Sequence, residues 1–309
     1  MRIILHILLV IIAISAVIVG GSSVYMLNYS LKPDANRDDT DSCYHQLYAD
    51  YPETKQWVDS LESINALRDT FIVMPDGYRC HAYYVSTGSR NTAVVVHGWR
   101  DQAIKYFCLA QMYEQELGYN VVIPDLYASG KSDGNAIRMG WLDRHDIKHW
   151  LETFKTDTMV VHGVSMGAAA AMMLSAEDKP KEVSDLRFVA DCGYTSVWDE
   201  FSLELKKQFS LPEFPLMYTT SLLCKLIYGW SFGEASALNQ VRKSPYPILF
   251  IHGDSDTFVP TEMSEKLYKV KQMPKSIWIT KDTEHAKSFR NHRDDYIKHI
   301  KAFIAHKNI

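Results

Sequence analysis

The chain opens on an apolar run. From residue 3 to residue 31 no side chain carries a fixed charge, and residues 3–19 are almost wholly aliphatic, broken only by His6 and Ser15. A transmembrane helix needs about 20 apolar residues and a signal-peptide core about 7–15, so the run suits either. Gly20, Gly21, Ser22 and Ser23 are small enough for a cleavage site. There is no clear A-x-A, however, and Val24, Tyr25, Met26 and Leu27 carry the apolar run past them. An uncleaved single-span anchor is the favoured expectation, with secretion after signal cleavage as the alternative. A helix hydrophobic on all sides does not suit the surface of a globular core. Arg2 precedes the run and Lys32 and Arg37 follow it, a weak charge asymmetry. An anchor with its N-terminus inside places the rest of the chain outside the cytoplasm.

Beyond a polar, charged linker at 33–40, the pattern becomes that of a folded domain. Leu47, Tyr51, Trp57, Val58 and Leu61 recur at loose helical spacing, predicting a helical segment over 44–67. Apolar runs at 71–74 and 80–85 flank Pro75-Asp76-Gly77, a hairpin signal. Short runs at 93–97, 120–124, 159–162, 188–190, 248–252 and 277–280 read as strands; several are Val/Ile-rich without alternation, as in a sheet covered on both faces. Helical patterns at 103–117, 140–154, 166–176, 261–270 and 296–305 lie between them. Strand alternating with helix predicts a mostly parallel α/β sheet. The interval 198–244 breaks this rhythm. Phe201, Leu205 and Phe209 suggest one helix and Leu222, Leu223, Leu226 and Ile227 another, around the proline-punctuated Leu211-Pro212-Glu213-Phe214-Pro215-Leu216 turn. A structureless loop of that length is improbable in a compact domain, so the interval is expected to be a small helical insertion over one end of the sheet.

Composition narrows the classes. The 309 residues are 47% hydrophobic and 23% charged, an ordinary globular balance that excludes a disordered chain or a polytopic membrane protein. Thirty-three Lys+Arg against 37 Asp+Glu leave a net charge of −4 with no dense basic stripe, which gives nucleic-acid binding little support. The five cysteines (Cys43, Cys80, Cys108, Cys192, Cys224) are odd in number and lack a C-x-x-C, which argues against a disulfide framework or zinc ribbon.

The most informative stretch is Gly163-Val164-Ser165-Met166-Gly167, a G-x-S-x-G between an apolar strand and an Ala-rich helical run. A sharp turn there exposes the Ser165 hydroxyl above the sheet, with a helix N-terminus behind it that favours developing negative charge. A serine nucleophile needs a base, and the base an orienting carboxylate. Asp254 and Asp256 follow one strand, and Glu284-His285-Ala286 follows the last. The order Ser165, Asp256, His285 is that of an α/β-hydrolase.

With His97-Gly98-Trp99, Pro124-Asp125, Gly130-Lys131-Ser132 and the His252–Pro260 stretch in the same order, the chain resembles the α/β-hydrolase superfamily over residues 71–303. The resemblance is to bacterial serine-esterase and serine-aminopeptidase-like members with an N-terminal hydrophobic segment. It implies an α/β-hydrolase fold: a mostly parallel eight-stranded sheet flanked by helices, with a small helical cap. The expected division is 1–31 as signal or anchor, 32–70 as linker and helical segment, 71–197 with 245–309 as core, and 198–244 as cap. The family pattern assigns the acid to Asp256, with Asp254 as a turn residue and Asp191 as a rival. It puts the oxyanion donors at the backbone N–H of Met166 and of Trp99, with His97 bracing the loop. Glu284 stands where family members usually have glycine.

Weaker signals point elsewhere. Gly130-Lys131-Ser132 lacks the first glycine of a phosphate loop, which falls at Asp125. His145 and His149 share a helix face as in zinc proteases, but the acid between them is Asp146 rather than glutamate. Cys192 reads as a buried small hydrophobe and His292 and His299 as residues of the last helix. The expected activity is a carboxylesterase-like serine hydrolase acting on esters of hydrophobic groups, with no metal or organic cofactor. A short-peptide amide is the rival substrate, for which Glu213 and Glu234 are possible α-amine partners. A catalytically silent, membrane-tethered binding protein on a hydrolase fold is the alternative of another class.

Overall fold

The computed structural model describes residues 2–37 and 39–305; Met1, Asp38 and residues 306–309, which fall in the segments assigned to leader, linker and core, lie outside the described residues. The apolar run is one helix, α1 (Arg2–Leu31). Two short helices follow, α2 (Thr40–Asp50) and α3 (Glu53–Ser63). The single helical stretch expected over 44–67 is thus divided at Tyr51-Pro52, and its last residue already belongs to a strand. Proline removes an N–H donor and restricts the residue before it, so one helix ends and the next begins there.

Strand β1 (Leu67–Val73) pairs antiparallel with β2 (Arg79–Val85). The turn between them is closed by Met74 N–H donating to the Tyr78 carbonyl and by Gly77 at φ +89°. There follow β3 (Asn91–Val96), α4 (Phe107–Leu117) entered through a 3-10 turn, β4 (Asn120–Pro124), α5 (Asp143–Thr153), β5 (Thr158–Val164), α6 (Met166–Leu174) and β6 (Asp185–Asp191). Between β6 and β7 (Ile248–Gly253) lie three helices and no strand among the described residues: α7 (Val197–Phe209), α8 (Leu216–Tyr228) and α9 (Ala237–Val241). The chain ends with α10 (Thr261–Val270), β8 (Lys275–Thr280), α11 (Ser288–Asn291) and α12 (Arg293–Ala305).

The eight strands form one sheet in the order β1-β2-β4-β3-β5-β6-β7-β8, antiparallel at β1/β2 and β2/β4 and parallel elsewhere. Parallel strands need crossover helices, which cover both faces. Val94, Val96 and Val161 face the layer built by α5, α6 and α10; Ala93, Val95 and Val160 face α2, α3, α4 and α12. The fold is that of the α/β-hydrolases, and the C-terminal ends of β3, β5, β6, β7 and β8 bring the sequence-predicted residues to one rim.

Candidate active site

Ser165 sits between β5 and α6 at φ +56° and ψ −118°, a conformation that L-residues rarely adopt. Its amide donates to the Asp191 carbonyl, 2.8 Å away, which pins the turn to β6. The flanking glycines are a steric requirement. A Cβ on Gly163 would lie 2.0 Å from the Gly167 carbonyl oxygen, and one on Gly167 would lie 2.2 Å from that of Val96.

His285, after β8, donates from Nδ1 to Asp256 Oδ2 over 2.7 Å, and its Nε2 lies 2.9 Å from Ser165 Oγ. With Nδ1 committed to the carboxylate, Nε2 carries the lone pair that faces the hydroxyl. The structure therefore brings together three side chains 120 and 29 residues apart along the chain. Asp256 has further partners. Its Oδ1 accepts from the Phe258 and Val259 amides, both at 2.9 Å, and His252 Nε2 lies 3.1 Å from Oδ2. Burial alone would push the carboxyl up, but the hydrogen bonds from His252 and His285, with their charge, outweigh it and bring it down to about 2. Asp254 instead serves the turn, accepting from the Ser255 hydroxyl and the Thr283 amide.

Asp191, the rival acid, is engaged elsewhere. Its Oδ2 accepts from the Tyr296 hydroxyl, which also meets His162 Nε2 at 2.8 Å. Burial raises Asp191 to about 6. Cys192 is fully enclosed and its thiol is pushed well above its ordinary value by burial, so it is no thiolate. Its sulfur lies within 4.8 Å of the facing atoms of Asp256 and His285. Glu284, beside His285 in sequence, turns outward to pair with Lys287. His292 precedes α12 rather than lying on it, and contacts Thr283 Oγ1 and the Lys281 carbonyl. His145 and His149 remain at the surface beside Glu177 and Glu152.

Met166 opens α6, and a first-turn amide has no acceptor within its own helix. The loop after β3 passes close by: a Cβ on Gly98 would lie 3.6 Å from Ser165 Cβ. His97 braces that loop, donating from Nδ1 to the Gly98 carbonyl and accepting the Leu126 amide at Nε2. Tyr106 holds it from the other side, its hydroxyl accepting the Gly98 amide.

Several contacts at the site lie outside the motifs. Trp99 Nε1 donates to the Ser30 carbonyl over 2.9 Å, and Arg100, stacked on the Trp99 ring, donates to the Tyr29 carbonyl over 2.8 Å. The last turn of α1 is thereby fastened to the loop beside Ser165. A pocket at Ser165 is walled by Tyr29, Ser30, Trp99, Glu200, Phe201 and Phe258. Glu200 is buried there, neither of its carboxyl oxygens meets a hydrogen-bond partner among the described residues, and burial raises it to about 8. Glu213 is exposed and absent from this wall, and Glu234 is paired with Lys225 and Ser231. Only the helical spacing of Glu200 with Phe201 and Leu205 hinted that α7 turns toward the site; nothing in the sequence marked Tyr29, Ser30 or Arg100.

Comparison with known proteins agrees with this architecture. Residues 155–286 match the family described as "Serine hydrolase (FSH1)". YfhR of Escherichia coli strain K12 is 40% identical over 244 residues, covering 74% of this chain and 77% of that protein. YqkD of Bacillus subtilis strain 168 is 29% identical over 264 residues, covering 83% and 86%. The Pyrococcus furiosus esterase Pf2001 superposes with a TM-score of 0.62 at 23% identity, over 79% of this chain and 94% of the esterase. Fold and sequence thus define an α/β-hydrolase related to the serine hydrolases. Within that class, the chain belongs to the YfhR family.

Proposed function

We propose that the protein is a membrane-anchored serine hydrolase that cleaves carboxylic esters of hydrophobic groups through an acyl-enzyme. The observation that carries this reading is the continuous line of contacts from Asp256 through His285 to Ser165. In the forward half-reaction, Ser165 Oγ attacks the ester carbonyl while His285 Nε2 takes its proton. Asp256, ionised far below neutral pH, holds the imidazole in the required tautomer and stabilises its charged form. The amides of Met166 and Trp99 receive the oxyanion. His285 then protonates the departing alcohol, and the same imidazole activates water to release the acid. The residues act without a resident metal or organic cofactor.

The pocket supports an ester over an amide. Its walls are largely apolar and aromatic, which suits a hydrophobic acyl or alcohol group. The buried acid facing it, Glu200, is held neutral at pH 7 and so presents no anion to a substrate α-ammonium. For the peptide-amide alternative Glu200 is nonetheless a better-placed partner than Glu213 or Glu234. We read α1 as an uncleaved anchor, because Ser23, at the end of the small-residue stretch, and Leu27 and Leu31 beyond it are buried against the domain. An extracytoplasmic domain is compatible with five thiols that are all buried.

The test is labelling of the full chain in detergent with a fluorophosphonate. Label is expected on Ser165 and lost in Ser165→Ala; an unlabelled native protein, or a labelled Ser165→Ala variant, removes the assignment. Turnover of p-nitrophenyl acyl esters against aminoacyl nitroanilides then separates ester from amide, with the esters expected to be faster.

A further inference from the structure

Helix α1 has two lengths of different character. Residues 2–18 are exposed without exception, and at 1.5 Å per residue they extend about 26 Å, close to the ~30 Å of a bilayer's hydrocarbon core. From Val19 onward, half-buried or buried positions recur at Val19, Ser22, Ser23, Met26, Leu27, Ser30 and Leu31, a stripe that packs onto the domain. The principal partner is α8. Ser23 Oγ lies 2.7 Å from Thr219 Oγ1, while Met26 shares a groove with Leu216 and Met217. As α1 advances α8 retreats, so the helices run antiparallel. Seven residues beyond Thr219, Leu226 is about level with Ala16, inside the exposed length of α1.

The outer side of α8 is apolar as well. Tyr218, Leu222 and Leu226 follow one another at intervals of four, on one side of the helix, with Ile227 beside them and Phe214, which precedes the helix, against the Tyr218 ring; all are exposed, Phe214 by 73% and Leu226 by 75%. The stripe is therefore continuous with a helix surface of bilayer length. Beneath it, a groove between α1, α7 and α8 is lined by Met26, Tyr29, Phe201, Phe209, Leu216 and Phe232. Tyr29, Ser30, Phe201, Glu204 and Gln208 line both this groove and the Ser165 pocket, so the two share a wall.

We propose that this groove is an acyl-chain slot, and that the substrate is a long-chain acyl ester lipid taken from the bilayer in which α1 is embedded. The α8 stripe lies in the interfacial layer of that bilayer. The acyl chain occupies the groove between α1, α7 and α8, and the ester carbonyl comes to Ser165. The chemistry rests on the acyl-transfer reading above: the Ser165 Oγ–carbonyl bond forms, the ester C–O bond breaks, the proton passes through His285 to the lipid alcohol, and water releases the fatty acid. The occupancy of the groove does not depend on that chemistry.

Two measurements decide the proposal, both on the full chain in phosphatidylcholine–phosphatidylglycerol vesicles. The first uses Ser165→Ala and a long-chain acyl ester lipid bearing a diazirine at the chain end. Photo-adducts on Met26, Phe209 or Leu216 are expected; adducts confined to residues 2–18, or cross-links joining two copies through α8, overturn the proposal. The second compares native protein with the double variant Leu222→Glu, Leu226→Glu, whose exposed positions tolerate charge. Turnover of the vesicle lipid is expected to fall about tenfold or more, while turnover of water-soluble p-nitrophenyl acetate stays unchanged. Equal lipid turnover by the two proteins overturns it. A native protein that hydrolyses neither ester and takes no fluorophosphonate removes the hydrolase reading instead, and the adduct map still decides what fills the groove.

Discussion

Asp256 and Glu200 are carboxyl groups of opposite habit in one site. Asp256 collects two backbone amides and two imidazoles, and these hold it ionised down to about 2. A depressed carboxyl adds stability at neutral pH, where it is fully present above the ordinary aspartate range, and that stability is lost as pH falls through about 2. Asp256→Asn is expected to cost about 2 kcal/mol in urea unfolding at pH 7, a deficit that closes near pH 2. It is also expected to lower kcat about 10²–10⁴-fold by freeing the wrong imidazole tautomer. Glu200 meets no hydrogen-bond partner among the described residues, and burial raises it to about 8. The sign reverses: its contribution is full below the ordinary glutamate value and is lost as pH rises through about 8. Glu200→Gln should therefore melt above the native protein at pH 9, with the advantage shrinking toward pH 4; a constant difference across that range would contradict the assignment. Asp256 was legible because it stands in a motif of fixed spacing. Glu200 was not, because its burial depends on where α7 is laid down.

Helix α1 shows how an element can be recognised while its role is missed. Its apolar length was plain from the sequence, but its end is part of the site. The carbonyls of Tyr29 and Ser30, which have no partner further along their own helix, are taken by Arg100 and Trp99. The same loop carries the Trp99 amide proposed for the oxyanion. Deleting residues 1–31 should thus reduce turnover even of a soluble short-chain ester, whereas replacing exposed leucines and isoleucines within 2–18 by polar residues should not. Arg100→Ala, which removes the bonds to the Tyr29 and Lys32 carbonyls and the stacking on Trp99 but leaves the Trp99–Ser30 bond, is expected to lower kcat by about 10-fold at nearly unchanged KM, since the oxyanion is bound only in the transition state. Elsewhere the strands were readable because parallel strands buried on both faces are short continuous apolar runs. The break at Pro52 is hidden in the sequence because the apolar positions on either side of it keep a helical spacing.

At the scale of the molecule, α1 and the domain are one packed body. Leu27 and Leu31 are buried in the domain's core, and the Ile137 amide donates to the Leu31 carbonyl. A protein cleaved within the Gly20–Ser23 stretch would retain a stub beginning near this interface. The intact mass of membrane-extracted protein is expected to include residues 1–31, and the protein to resist extraction at alkaline pH. A mature N-terminus after residue 20 would rule out the anchor. The sheet order follows from alternating strands and helices joined by short connections. The packing of α7 and α8 on α1 joins segments about 200 residues apart, and no local pattern encodes such a meeting.

The sequence by itself determined the secondary elements of the sheet, the turn that bears Ser165, and the motifs in which Asp256 and His285 stand. Each of these is written in a few consecutive residues whose spacing and stereochemistry leave little choice. Tertiary structure decided what surrounds them: that α1 ends against the Trp99 loop, that Glu200 is buried without a hydrogen-bond partner among the described residues, and that the apolar side of α8 continues the surface of α1. These depend on which faces of distant helices are pressed together. That choice is made by burying area and matching shape across the whole chain, so it is absent from any short stretch of it.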